Sequence, residues 1–305
     1  MRVTDRMMFK RAVREGGLSR GRLDEATQRA ASGVRVAHPK DDPGAAGMIS
    51  MERARAERLD AVATTAGRAS DELQAADGAL SEVANAIARA RELAVQLSSS
   101  TYSAAERVSG AKEVQGLIQS VVASLNVKVG GRYVLAGTSD GAAPFTGLTL
   151  DAFGNVDPAT GAYAGDGNVR QVEIAPGLLQ DASVRADVAV KGAGGGVDVL
   201  ATLIALANAL QANDPALAGS TLGDLARGTE QVATARGTGG AAMAGLDGAV
   251  AANQAARDDA KGRVSSLADA DAIQAATDLA LAARALDAAL TATARSFQLT
   301  LLDKL

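Results

Sequence analysis

The residues best suited to chemistry lie in "SGVRVAHPKDDPGAA", residues 32–46, where His38, the only histidine, precedes Asp41 and Asp42. A histidine beside a carboxylate is the usual arrangement of a general base and the group that orients it. The same carboxylates could cap a helix, because Asp followed by Pro is typical of an N-cap and a first helical position. No cysteine and no second histidine is present to complete a nucleophile and base. We therefore favour a corner between helices, formed by Asp41, Asp42 and Pro43, and predict no catalytic residue and no enzyme activity.

Two other stretches match ligand-binding motifs only in part. In "DAFGNVDP", Asp151, Asn155 and Asp157 offer oxygen atoms as a calcium loop does, but the order and the distal Glu of such a loop are missing. The glycines at 192–196 are followed by no Lys-Ser/Thr pair, so a flexible hinge is favoured over a phosphate-binding loop. The sequence therefore predicts neither a metal nor a cofactor.

Composition excludes several classes of partner. The 305 residues carry a net charge of −4 and only 2% aromatic residues, so neither electrostatic attraction nor base stacking favours nucleic acid. No uninterrupted apolar run reaches the length of a membrane span, and "MRVTDRMMFKRAVREGG" at the start contains no apolar core of a secretory signal. We expect no membrane contact, and a protein that is soluble or exported without a cleaved signal.

A heptad pattern dominates the first third of the chain. Pro43 to Leu97 contains no further proline and would form a helix of roughly 80 Å at 1.5 Å per residue. Ser103 and Glu106 then match a capping box for a second helix, which we expect to fold back antiparallel on the first. The two heptad series that predict a coiled-coil-like rod are Leu59, Ala66, Leu73, Leu80, Ile87 and Ala94, and Val62, Ala69, Ala76, Val83, Ala90 and Leu97.

The middle and the ends of the chain differ from this rod. Turn dipeptides and short alternating runs, Val172–Ile174 and Val184–Val190, indicate a small β-rich insert. Residues 1–35 carry nine Lys/Arg against four Asp/Glu, and Phe9, Val13, Leu23 and Ala30 suggest a weak amphipathic helix there. After Gly262 neither glycine nor proline occurs, which favours one C-terminal helix. Its apolar row is Leu279, Ala283, Leu286, Leu290, Ala294, Phe297 and Leu301.

Five stretches together give the sequence its resemblance to a known family. They are "MRVTDRMMF", the 32–46 motif, "RARELAVQLSSSTYS", "RYVLAGT…PF" and the ending from "LADADAIQ" to "LLDKL". In this order they resemble the flagellin superfamily, and most closely its hook–filament junction members. The resemblance implies an extracellular structural subunit of the bacterial flagellum, exported by the type III apparatus without a cleaved signal. It also implies that the terminal helices polymerise while the middle faces outward.

The resulting prediction is a mainly α fold: a long antiparallel coiled-coil-like rod built from both chain termini, with a small β-rich domain inserted in the middle. Its parts are an N-terminal polymerisation segment (1–44), the two halves of the rod (45–130 and 197–265), the insert (131–196) and a C-terminal polymerisation helix (266–305).

The resemblance also implies partners and contact residues. The partners are other copies of the chain, a hook-associated protein on the hook side, a junction protein or flagellin on the filament side, and an export chaperone on the C-terminal helix. Two alternatives remain: a flagellin that forms the filament itself, and a secreted adhesin or effector whose insert binds a ligand. The predicted subunit contacts are Arg91, Leu93, Val95, Leu279, Leu286, Leu290, Phe297 and Leu301.

Overall fold

The computed structural model describes the backbone of residues 2–302, with the side chains of residue 7 and residues 10–294. Over that range the predicted fold class, a mainly α protein with long helices at both ends and a small β insert, is confirmed. The elements are α1 (Arg2–Ser32), α2 (Pro43–Leu97), α3 (Ala104–Leu125), β1 (Lys128–Val129), β2 (Arg132–Tyr133), β3 (Gln171–Ala175), β4 (Leu178–Asp181), α4 (Ala186–Ala189), α5 (Val199–Gln211), α6 (Pro215–Ser220), α7 (Leu222–Ala268) and α8 (Ala272–Leu302).

The chain divides into two compact units. The larger unit is Leu59–Ala255, and the smaller combines Met1–Arg58 with Ala256–Leu305. Both α2 and α7 therefore contribute residues to each unit. Among the described residues, no helix is both long and apolar enough to cross a bilayer.

In the larger unit, α2 and α7 run antiparallel. Ser70 donates a hydrogen bond to Asp247 at 2.8 Å, and farther along α2 the Asp77 carboxylate pairs with Arg236, which lies earlier in α7, also at 2.8 Å. Every residue of the two predicted heptad series is buried, and those from Ala66 onward belong to one apolar cluster with α3 and α5. The Ser103–Glu106 capping box is present at the start of α3, as predicted.

The insert is held by two antiparallel hairpins, and one strand prediction within it is wrong. β3 covers the predicted strand at Val172–Ile174 and pairs with β4, with Val172 opposite Gln180. Residues 184–190 instead contain the short helix α4: Val184 and Ala186 are buried, but the next buried residues are Ala189 and Val190, and Val188 is exposed. That is helical spacing rather than alternation.

Two of the glycines at 192–196, where a flexible hinge is expected, close a turn, and Gly194 and Gly195 between them are exposed. The Gly196 amide donates to the Gly192 carbonyl at 3.0 Å. At Gly192, where φ is +73°, an added Cβ would lie only 2.6 Å from the Val197 carbonyl carbon. Close backbone approach and positive φ both require glycine at this position.

In the smaller unit, α1 and α8 pack side by side. Their orientation is antiparallel, because the Ala270 amide, just before α8, donates to the Gly33 carbonyl, just after α1, at 2.8 Å. The expected α1 stripe is wrong at Val13 and Ala30, which are exposed, while the side chain of Phe9 lies outside the described residues. The covered positions are Ala12, Gly16, Ser19, Leu23 and Ala26, a seam of mostly small residues with heptad spacing.

Candidate assembly surfaces

The carboxylates of the 32–46 motif are occupied by backbone amides. Asp41 accepts hydrogen bonds from the amides of His38 at 2.8 Å and Ala37 at 3.1 Å, and these bonds lower its pKa. Asp42 precedes Pro43, the first residue of α2, and accepts the Ala45 amide at 3.0 Å, which is the geometry of an N-cap. That hydrogen bond is the main cause of the lowered pKa of Asp42. Both carboxylates therefore shape the turn.

The motif offers little for acid–base chemistry. The His38 ring is more than half exposed, and its Nδ1 lies 3.7 Å from Asp41, beyond a good hydrogen bond. In the partial calcium motif, the Asp151 carboxylate is likewise bonded to groups of its own loop. Asp151 accepts the amides of Phe153 and Asn155 at 2.8 Å each, and its other oxygen accepts the Asn155 side chain at 3.0 Å. Within the described range, no group of three or more acidic, histidine or cysteine side chains could hold a metal.

The helix α8 has apolar residues on two opposite sides. The side that packs on α1 is covered at heptad spacing. The opposite side is open: Ile273 is 81% exposed and Leu281 is 57% exposed. Residues two helical turns apart share a face, so these two side chains belong to one surface. We call it the outer face of α8, and it consists of Ala272, Ile273, Ala276, Thr277, Ala280, Leu281 and Arg284.

The predicted contact residues of α8 divide between these sides. Leu279 and Leu286 are half-buried at seam positions, so their side chains are already covered within the chain. Leu290 is 58% exposed and remains available. The side chains of Phe297 and Leu301 lie outside the described residues. Sequence reasoning missed Ile273 and Leu281 because it followed a single apolar row; the spacing 273, 277, 281 was the signal for a second one.

The predicted contact residues near the end of α2 are partly exposed and partly buried. Arg91 and Val95 are exposed, Val95 by 61%. Leu93 is only 4% exposed and belongs to the apolar cluster of the larger unit. A side chain so covered has almost no surface left for another subunit, so Leu93 is corrected to a core residue. Arg91 and Val95 remain candidates.

The insert is tied to the helices by amide side chains that bind its backbone. Asn208 of α5 contacts Val156 twice: its Oδ1 accepts the Val156 amide at 2.8 Å, and its Nδ2 donates to the Val156 carbonyl at 3.0 Å. Gln115 of α3 donates to the Gly154 carbonyl at 2.8 Å, and Asn253 of α7 donates to the Ile174 carbonyl at 2.7 Å. Helices from both halves of the larger unit therefore hold the insert.

Comparison with known proteins gives consistent results. Residues 6–140 match the family described as the bacterial flagellin N-terminal helical region. The flagellar hook-associated protein 3 of Salmonella typhimurium strain LT2 is 31% identical over 168 residues, which are 54% of this chain and 49% of that protein. The protein of the same name from Escherichia coli strain K12 is 32% identical over 150 residues, 48% of this chain and 46% of that protein.

The chain thus spans about half the length of the curated relatives it matches. A crystal structure of flagellar hook associated protein-3 from Legionella pneumophila aligns with a TM-score of 0.57 at 15% identity. The alignment covers 72% of this chain and 98% of that one, and shows a shared fold.

Proposed function

We propose that this chain is a member of the flagellin superfamily and a structural subunit of the bacterial flagellum that joins the hook to the filament. The match of residues 6–140 to the bacterial flagellin N-terminal helical region supports the flagellum as its location, and the relatives named hook-associated protein 3 support the junction over the filament itself. In this role the terminal segments, 1–44 and 266–305, make the contacts between subunits.

The observation that carries the proposal is the outer face of α8. An apolar helix side packed on α1 accounts for folding of the helix pair, but Ile273 and Leu281 on the other side contribute nothing to that packing. Burying two such side chains is worth about 1.5–3 kcal/mol each, so a neighbouring subunit that covers them gains substantial binding free energy. In α8, one apolar side is covered by α1 of the same chain and the other is exposed. An exposed apolar side of this kind can be buried against a neighbouring subunit, as polymerisation requires.

The proposal includes the partners that the family resemblance implies. Other copies of the chain cover the outer face of α8 within the junction. A hook-associated protein adjoins it on the hook side, and a further junction protein or flagellin adjoins it on the filament side. Before assembly, an export chaperone shields the C-terminal helix, and the chain leaves the cell through the type III apparatus.

Paired aspartate substitutions test this role for α8. Ile273→Asp with Leu281→Asp places two charges on the outer face, where burial against a neighbour would require their desolvation. We expect the variant to fold, be exported and fail to form junctions. The control is Gln274→Asp, which adds a charge at an exposed polar position of the same helix without removing an apolar contact.

The readout is complementation of a deletion strain, scored by motility and by the amount of each variant in the medium. Assembly of the double variant at the level of the control would contradict the assignment of this face. Long filaments formed by the purified chain without hooks would favour the flagellin alternative, which the match to the flagellin N-terminal region supports.

A further inference from the structure

Arg35 contacts both corners of the smaller unit. The first corner links α1 to α2, and the second links α7 to α8. The Arg35 amide donates to the Ala268 carbonyl at 2.6 Å, and one guanidinium nitrogen, Nη2, donates to the Leu267 carbonyl at 2.7 Å. Its other terminal nitrogen, Nη1, lies 3.5 Å from Asp42 Oδ2. The side chain thus joins the Leu267 carbonyl, in the last turn of α7, to Asp42, the N-cap of α2, while the backbone amide of the same residue binds the last α7 carbonyl.

The electrostatics of this arrangement are favourable at each end. The C-terminus of a helix carries partial negative charge and unpaired carbonyls, which a guanidinium satisfies by charge and by hydrogen bonding. Asp42, which caps the N-terminus of α2, supplies a full negative charge to the same guanidinium. Arginine suits such a site because its planar fork presents separate donors to separate acceptors, whereas lysine has one compact head.

The backbone around Arg35 completes the joint. Val34 forms an antiparallel bridge with Asp269, the Val36 amide donates to the Ala268 carbonyl at 3.2 Å, and the Ala270 amide donates to Gly33. A small apolar cluster of Val36, Ala45, Ile49 and Ala268 lies beneath. The two corners, more than 200 residues apart in sequence, are therefore one structure.

We propose that Arg35 is a positioning residue that fixes the directions of α1 and α8 relative to the first turns of α2, so that the joint is set within each chain before it meets a neighbour. The role of Arg35 in assembly rests on the proposed function. Subunits whose α1 and α8 already have a fixed direction lose less conformational entropy when they assemble. The joint itself can be tested without any flagellum.

Spin-label distances measure the direction of α1 directly. The chain has no cysteine, so Gln28→Cys on α1 and Met51→Cys on α2, both exposed, give one specific label pair. We expect one narrow distance distribution for otherwise unaltered protein and a distribution about twofold wider for Arg35→Ala, because the minor orientations become populated. Arg35→Lys should widen it too, since a single ammonium nitrogen replaces the two separate nitrogens that contact Leu267 and Asp42.

Lys40→Ala is the matched control, since it removes a positive charge from the same exposed turn. Its distribution should stay narrow. A narrow distribution for Arg35→Ala, or an equally broad one for Lys40→Ala, would overturn the assignment. If Arg35→Ala lowers the helical content, Asp42→Asn is used as the test variant instead, because Asn keeps the capping oxygen but not the charge. A narrow distance distribution for Asp42→Asn would also overturn the assignment.

A separate assay keeps this inference distinct from the proposed function. In the deletion strain, a wild-type gene that fails to restore junctions would refute the function while leaving the label distances valid. Broad distances with normal junctions in Arg35→Ala would refute the purpose assigned to the joint.

Discussion

Arg107 is a buried arginine whose guanidinium is satisfied by three oxygen atoms. Nε donates to the Leu97 carbonyl at 3.0 Å, Nη2 to the Ser99 carbonyl at 2.7 Å, and Nη1 to Asn213 Oδ1 at 2.7 Å. Its contacts join the end of α2, the loop that follows and the turn after α5. Asn213 adopts φ of +58°, which a short polar side chain tolerates. One charged group therefore organises this end of the larger unit.

Removing Arg107 should be among the most damaging single changes in the chain. Arg107→Ala leaves buried oxygen acceptors unpaired, and we expect a loss of about 3 kcal/mol in the free energy of unfolding. Chemical denaturation followed by circular dichroism measures it. Arg91→Ala, at an exposed position of α2, is the control and should lie within about 0.5 kcal/mol of wild type. Equal midpoints for the two variants would contradict this account.

Acid should loosen the 32–46 turn before it unfolds the larger unit. The pKa values of Asp41 and Asp42 are lowered by amide hydrogen bonds, so both carboxylates stabilise the turn when ionised. A lowered pKa gives stability that is complete above the unfolded value of about 4 and lost as the pH falls through the folded value.

Amide exchange of residues 36–45 checks this prediction. Protection should fall below about pH 4 after correction for the intrinsic rate, while that of α2 beyond residue 59 persists. Asp42→Asn should show a weaker pH dependence, because only Asp41 still titrates among the two. Protection that is unchanged down to pH 2, or an unaltered profile in the variant, would disprove the role of the carboxylates.

At the scale of elements, two glycines in or next to α1 differ in backbone conformation, so replacing each by alanine should have opposite effects on stability. Both have open space around the position of an added Cβ, but Gly16 lies within the helix and Gly33, at its C-terminal end, has φ of +67°. Helix propensity predicts that Gly16→Ala stabilises α1 by about 1 kcal/mol, whereas Gly33→Ala costs about 1 kcal/mol for the left-handed conformation.

Limited proteolysis of α1 measures both effects under one protocol. Cleavage within residues 10–32 should become slower for Gly16→Ala and faster for Gly33→Ala. Because neither substitution creates a clash, packing cannot account for a difference between them. The same cleavage rate in both variants would argue against the backbone explanation.

Helices with a regular repeat of large apolar residues could be predicted from the sequence, whereas those that pack through small residues could not. Leu73, Leu80 and Ile87 recur with large side chains in a heptad, and the resulting helix is present with these residues buried. In α1 the seam contains Gly16 and Ser19, which are not recognisable as apolar positions in the sequence. The larger apolar residue Val13 was therefore predicted to lie on the packed side, although it is exposed. Residues 184–190 alternate in sequence, yet they contain the helix α4, which buries Ala186 and Ala189 and leaves Val188 exposed.

The functional surfaces were harder to predict for a related reason. Leu93 lies outside the heptad series and so suggested an outward contact, but α2 buries a face wider than two heptad positions. The Arg35 contacts join residues 232 positions apart, and no periodicity in a single sequence reports such a pairing. Asp42 next to Pro43 was predictable because helix capping is local.

At the scale of the molecule, the larger unit should fold without the smaller one. Its apolar cluster, from Ala66 to Leu246, lies entirely within residues 59–255. We expect a fragment 59–255 to be helical, monomeric and cooperative in unfolding, with the insert still held by Asn208 and Asn253. Circular dichroism and sedimentation check this. A fragment that aggregates or lacks cooperative unfolding would show that the terminal helices are needed for the core.

The same division predicts where assembly is lost. Removing Leu286–Leu305 deletes the second half of α8 but leaves the apolar cluster of the larger unit intact. The truncated chain should therefore remain folded in its larger unit and fail to enter the junction. Secretion of the truncated chain is measured alongside, so that a failure of export is not read as a failure of assembly.

Electron microscopy of flagella from a strain that lacks this chain tests the central claim most directly. If the chain joins the hook to the filament, the cells should carry hooks without filaments and shed flagellin into the medium, and the wild-type gene should restore attached filaments. Filaments of normal length attached to the hooks of the deletion strain would contradict the proposed function.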